Sequence, residues 1–293
     1  MSVRPIEGET MSNPVFNRLE KQWREPGSAV QIPGETTPQS PPVYDQKAFQ
    51  QAREAYEGPS ATAVDTGRLT YDDVIIKTSM SLLLLIAVAT ASWFITAVNP
   101  AAGMGIMMVG LFGGLAVAMV NIFSRTVRPA LVLAYAALEG AMLGALSMLT
   151  EAMAPGVVLQ AVVATFVVFG ATLALFASGK VRNSPKMQKF VLISLIGIIG
   201  SRLLIWLLAL VGVNVGGGDG LELFGFPLAV VISVFAVFVG ALALIGDFDQ
   251  VKIGVQQGVS AKYAWMSAFG IMVTLIWLYV EILNILMRMN QRN

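Results

Sequence analysis

After residue 75 the chain carries seven runs of roughly 20 apolar residues, each long enough to take an α-helix across a hydrocarbon core about 30 Å thick. The runs span 78–98, 101–123, 130–152, 155–178, 188–213, 225–250 and 264–287. Buried in lipid, every backbone N–H and C=O must find its partner inside the protein, so a spanning segment is a helix or part of a closed barrel. None of the runs alternates apolar and polar residues as a barrel strand does. The expected fold is therefore an all-α integral membrane protein with seven transmembrane helices.

Composition agrees and excludes several functions. The 293 residues are 56% hydrophobic and 13% charged, against about 25% charged in a soluble domain. A net charge of +1 gives no electrostatic reason to bind nucleic acid. There is no cysteine and no histidine, so zinc centres and the usual nucleophilic dyads have no residues to build on, and no cofactor is expected. Without histidine, a pH response near neutrality has to come from carboxylates. Gly216–Gly220 reads as a flexible loop, because no Lys-Ser/Thr opening a helix follows it.

Residues 1–75 are a different material. Gln31 to Pro42 is polar and proline-rich and cannot bury enough apolar surface to offset the entropy of ordering, so a disordered tail is expected ahead of a membrane domain over 76–290. No apolar core follows the early charges, so no signal peptide is expected. Order should begin near Leu69–Asp73, where Thr70 can cap a helix whose first turn holds Asp73.

Loop charge sets the expected orientation. Arg125 and Arg128, then Lys180, Arg182, Lys186 and Lys189, then Lys252 and Lys262 lie at alternate ends of the spans. The intervening loops offer Glu151, Asp219 and Glu222. Basic loops stay on the cytoplasmic side, so the N-terminal tail is expected in the cytoplasm.

Against this background four ionisable residues stand out inside the spans: Glu139, Arg202, Asp247 and Glu281. Charge at that depth costs about 2.5 kcal/mol or more and marks an ion or proton path by default; a salt-bridge knot between helices is the plainer alternative. At 100° per residue, Ser233, Gly240 and Asp247 share one face of the sixth helix, and Thr274, Glu281 and Asn284 share one face of the seventh. Asp249 points elsewhere, toward the cytoplasmic mouth. Gly110–Gly114 and Gly140–Gly144 carry the small-xxx-small spacing that lets helices approach closely.

Asp247-Phe248-Asp249-Gln250, Leu278-Tyr279-Val280-Glu281-Ile282-Leu283-Asn284 and Leu138-Glu139-Gly140 resemble, in order and placement, elements of the Bax inhibitor family of membrane proteins. Ser12-Asn13-Pro14-Val15-Phe16 and Thr70-Tyr71-Asp72-Asp73-Val74 look like its bacterial branch, which implies the bacterial inner membrane. The resemblance covers essentially all of residues 70–290. It implies a last helix at the centre wrapped by the other six, and a pH-governed calcium leak controlled by a hydrogen-bonded acidic pair on helices six and seven. Asp247 matches the first acid; Glu281 stands where the family has Asp. The family's arginine latch would fall to Arg125 or Arg128.

The chemistry expected of such a pair is consistent. Two carboxylates in contact in a poorly solvated site share a proton and titrate as a unit, holding Asp247 and Glu281 together at low pH and parting them as pH rises. Ionised, they could hold Ca²⁺ transiently with Glu139, backbone carbonyls and water. The alternative function is a membrane-embedded regulator of stress or cell death that meets a membrane protein partner through its tail. An aspartyl protease would need a second aspartate where Glu281 stands. A secondary transporter would show interrupted helices and repeated halves; no convincing repeat is seen, and the glycine breaks at Gly197/Gly200 and Gly216–Gly218 leave that reading open.

Overall fold

The computed structural model describes residues 67–124, 127–181, 183–212, 222–223 and 226–291. Almost the whole expected tail, Arg125, Arg182, the side chain of Trp206 and the Gly216–Gly220 loop lie outside the described residues. The rest is helical: α1 (Tyr71–Val98), α2 (Pro100–Phe123), α3 (Pro129–Met153), α4 (Val157–Ala177), α5 (Pro185–Leu210), α6 (Leu228–Gln256) and α7 (Ala264–Asn290). Glu222–Leu223 and Phe226–Pro227 form a minimal antiparallel pair before α6, and a 3₁₀ turn, Ala261–Tyr263, precedes α7. All seven α-helices are long and apolar enough to cross a membrane. At 1.5 Å per residue, 21 to 29 residues give roughly 32–44 Å.

Helix limits follow from local chemistry. Thr70 and Asp73 form the expected capping box: the Asp73 amide donates to Thr70 Oγ1 at 3.1 Å and the Thr70 amide to Asp73 Oδ2 at 3.2 Å. The tail boundary drawn at residue 75 therefore falls inside α1. Asn99 ends α1 and caps α2 by accepting from the Ala102 amide, with Pro100 preset for the first helical turn. Glu151 folds over the start of α4 and accepts from the Gly156 and Val158 amides. A carboxylate beside a helix N-terminus is stabilising, so this acid has a structural task. Gly197 and Gly200 do not interrupt α5, which runs unbroken.

Over half of an apolar 18-residue stretch of α7 is buried inside the bundle, against 6% of the corresponding stretch of α5. α7 packs against α1, α3, α4 and α6, while α2 lies on α3 and α1, and α5 on α6. The last helix thus has a first layer of four neighbours and an outer layer of two. One apolar cluster joins Leu69, Leu244, Phe248, Leu275 and Leu278; a second joins Val132, Tyr135, Phe269 and Met272.

The glycine spacings seat α3. A Cβ at Gly140 or Gly144 would fall on the carbonyl oxygens of Leu85 and Ala89 in α1, and one at Gly110 on Leu138 in α3. Ser92 of α1 reinforces the contact, donating to the Ala141 carbonyl at 2.7 Å. Replacing Gly144 by Leu should force α1 and α3 apart at a cost of at least the ~1–3 kcal/mol typical of overpacking. Thermal unfolding in detergent should show a clear drop in Tm. Gly105→Ala, where no atom stands within 4 Å of the added Cβ, should leave Tm unchanged or slightly raised.

Candidate functional site

α6 and α7 are joined by residues 257–263 and pack closely along their length. The two polar faces read from the sequence meet along this seam. Asp247 faces Thr274, Gly240 faces Leu278 and Trp277, and Ser233 lies at the level of Arg202 and Glu281. As numbers rise on α6 they fall on α7, so the helices are antiparallel.

At the first level, the Thr274 hydroxyl donates to Asp247 Oδ2 at 2.8 Å, with the Gly270 carbonyl at 3.1 Å as its other acceptor. Gly270 lies against the carboxylate, where an added Cβ would make ordinary contact with Asp247 Oδ1 at 3.5 Å. Asp247 opens into a hollow of about 290 Å³ whose wall includes Gln250, Gln257, Ser267 and Leu69. Nine residues separate Asp247 from the end of α6, a depth of roughly 14 Å. α6 runs past residue 250 to Gln256, which places Asp247 at a depth comparable to Glu139 in α3.

At the second level, Arg202 Nη2 donates to Glu281 Oε2 at 2.6 Å and to Ser233 Oγ at 3.4 Å. Trp277 Nε1 donates to Glu281 Oε1 at 3.0 Å, so both carboxylate oxygens are engaged. Glu281 is 3% exposed and Arg202 43%, so the pair reaches from the inside of the bundle to its outer side. Charge-assisted hydrogen bonds of this length are the strong kind. Glu281 lies nine residues from Asn290, roughly 14 Å in from the opposite end.

The expected contact between Asp247 and Glu281 is therefore absent. Thr274 and Glu281 are seven residues apart on one face of α7, which sets the two acids about 10 Å apart along the seam. Between them Leu244 and Leu278 are fully buried, and Leu278 presses on Gly240. The physical reason is register. In an antiparallel pair, residues about equally far from the turn face one another, so Asp247 meets Thr274, while Glu281, farther along α7, lies at the level of Ser233.

Glu139 is buried elsewhere, at the α2–α3 contact, where a Cβ on Gly114 would stand 2.7 Å from its Oε1. The Tyr135 hydroxyl lies beside its carboxyl, and the Tyr135 ring meets Phe269 edge-on at 5.0 Å. Among the described residues no hydrogen bond or ion pair links Glu139 to Asp247 or Glu281, and no three acidic residues are grouped to hold a metal. A calcium site built jointly from Asp247, Glu281 and Glu139 is not assembled. Asp249 does not line the Asp247 hollow, in line with its expected direction round the helix. Arg128 is exposed at the cap of α3 and forms no ion pair with Asp247, whose partner is Thr274; Arg125 lies outside the described residues. Among the described residues, Arg202 is a cation deep in a span that meets an acid of another helix, Glu281.

Two contributors were not singled out from sequence for these tasks. Trp277 precedes Glu281 by one turn, the i,i+4 spacing at which its indole can reach the carboxylate. Leu69, 2% exposed, stands outside every apolar span, so hydropathy gave no reason to place it in the core.

A comparison with curated proteins returns no match. The family model described as Bax inhibitor 1 like matches residues 13–291, nearly the whole chain. Motif order, seven spanning helices and that match agree, and the chain belongs to the Bax inhibitor 1-like family of multi-pass membrane proteins.

Proposed function

We propose that this protein is a pH-sensitive cation leak of the calcium-permeable kind, with Asp247 and Glu281 as two acidic stations along the α6–α7 seam. The observation that carries the reading is the arrangement of that seam: an acid opening into a hollow near one end, a second acid near the other, and apolar packing between them. Acidic lining favours cations over anions, and passage needs sites weak enough to release their ion. One carboxylate with hydroxyl, amide and carbonyl oxygens around it suits brief calcium contact rather than storage.

In this reading the structure is a closed state. Leu278 against Gly240 blocks the seam, and Arg202 occupies the place at Glu281 that a permeant cation would take. Opening requires α7 to move against α6 and Arg202 to release Glu281. The basic residues Arg128, Lys180, Lys186, Lys189, Lys252 and Lys262 gather toward the Asp247 end and Glu151 toward the other, which supports a cytoplasmic Asp247 hollow.

Protonation removes the charge of Asp247, so flux should fall as pH falls and rise as pH rises. The other titratable side chain on the hollow's wall is Tyr263. In liposomes loaded with a calcium indicator, Asp247→Asn should lower flux on the order of tenfold, the effect of losing about 1.4 kcal/mol of cation stabilisation, and flatten its pH profile. A mutant that leaks with the parent pH profile refutes the reading.

Arg202–Glu281 also does structural work. Removing one partner of a buried ion pair costs about 3–5 kcal/mol, because the other charge is stranded. Glu281→Gln and Arg202→Met should each lower Tm in detergent, with the larger loss for Arg202→Met, which strands the buried carboxylate. The double mutant should be more stable than the sum of the single losses predicts, by roughly 1–3 kcal/mol of coupling.

A further inference from the structure

The segment ahead of α1 is threaded into the α6–α7 connection. The Leu69 amide donates to the Val259 carbonyl at 2.7 Å and the Ala261 amide to the Gly67 carbonyl at 2.9 Å, which pairs Arg68 with Ser260 as an isolated antiparallel bridge. Lys77 ties α1 to the same turn through the Ala261 carbonyl at 3.1 Å. Inside this strap the Leu69 side chain is almost wholly buried, and a Cβ on Gly254 would stand 3.0 Å from its Cδ2.

Two hollows meet at that side chain. One, of about 500 Å³, is bordered by Arg68, Thr70, Asp72 and Gln256 at the end of the bundle. The other is the 290 Å³ hollow onto which Asp247 opens. Leu69 and Gln257 line both. Leu69 is the apolar member of this shared wall, and a single β-bridge holds its backbone in place, where a helix would be tied at every turn.

We propose that the Arg68–Thr70 strap is a gate: Leu69 is the partition between the outer hollow and the Asp247 hollow, and its withdrawal joins them into one aqueous path to Asp247. The consequence for flux rests on the cation-leak reading; the geometry of the gate does not.

The chain contains no cysteine, so Ser267→Cys places a single thiol on the wall of the Asp247 hollow. Purified full-length protein carrying it is treated with a charged methanethiosulfonate reagent, with Leu69 intact, with Leu69→Met and with Leu69→Ala. Labelling should be several-fold faster with Leu69→Ala and unchanged with Leu69→Met, which keeps the bulk. Equal rates in all three overturn the gate.

A second variant avoids the loss of a buried side chain. The two bridge hydrogen bonds flank Arg68 and Ser260, which makes them the closely spaced kind of antiparallel pair, with Cα atoms about 4.5 Å apart. That separation lies within the ~4.4–6.8 Å a disulfide spans. In calcium-indicator liposomes, Arg68→Cys with Ser260→Cys should pass several-fold less calcium when oxidised than after reduction. Labelling that follows Leu69 with no calcium passed in either redox state upholds the gate and overturns the leak, whereas calcium passed equally in both states overturns the strap's control of flux. Labelling that ignores Leu69 overturns the gate whatever the flux.

Discussion

The antiparallel register of α6 and α7 about residues 257–263 decides which polar groups can meet in the interior. Each helix carries a small, polar face with a heptad spacing, and the turn between them brings the faces together as a ladder. Asp247 pairs with Thr274, Gly240 admits Leu278, and Ser233 shares the level of Glu281. Because each acid lies nine residues from the C-terminal end of its own helix and the helices are antiparallel, the two are held at different depths. The seam keeps its charges apart and fills the space between with leucine.

Much of the architecture was legible in the sequence because bilayer physics leaves few choices. Runs of the right length are helices, Thr70 with Asp73 starts the first, and Gly140 with Gly144 marks where α1 comes close. The faces of α6 and α7 followed from periodicity alone. What periodicity does not give is the height at which two faces meet. The family resemblance placed Asp247 and Glu281 together, but counting outward from the turn would have matched Asp247 with Thr274. Arg202 was visible as an intramembrane cation, yet no spacing rule ties a residue on α5 to one 79 positions later. Leu69 was hidden for the opposite reason: its setting is polar, and only the chain's return to the 258–261 turn buries it.

The layering has a mechanical meaning. α1, α3, α4 and α6 pack against α7, and glycine contacts between α1 and α3 bring backbones within reach of one another, so that part of the bundle is stiff. α5 has little buried surface and rests chiefly on α6. Its polar tie to α7 among the described residues is the Arg202 guanidinium, beside apolar packing of Ile198 and Leu195 near Trp277. A bundle with a rigid inner layer and a lightly held outer helix concentrates its freedom where the Arg202–Glu281 pair sits.

That attachment also orders events during synthesis. α5 enters the bilayer with Arg202 near its middle, while the carboxylate that neutralises it emerges 79 residues afterwards. At translation rates of about 5–20 residues per second, the arginine spends roughly 4–16 s without its partner. Over that interval its long side chain reaches toward the headgroups or water, and the helix settles to its final depth only when α7 arrives. Assembly of α5 in the membrane is therefore completed by α7, the helix that brings its counter-charge.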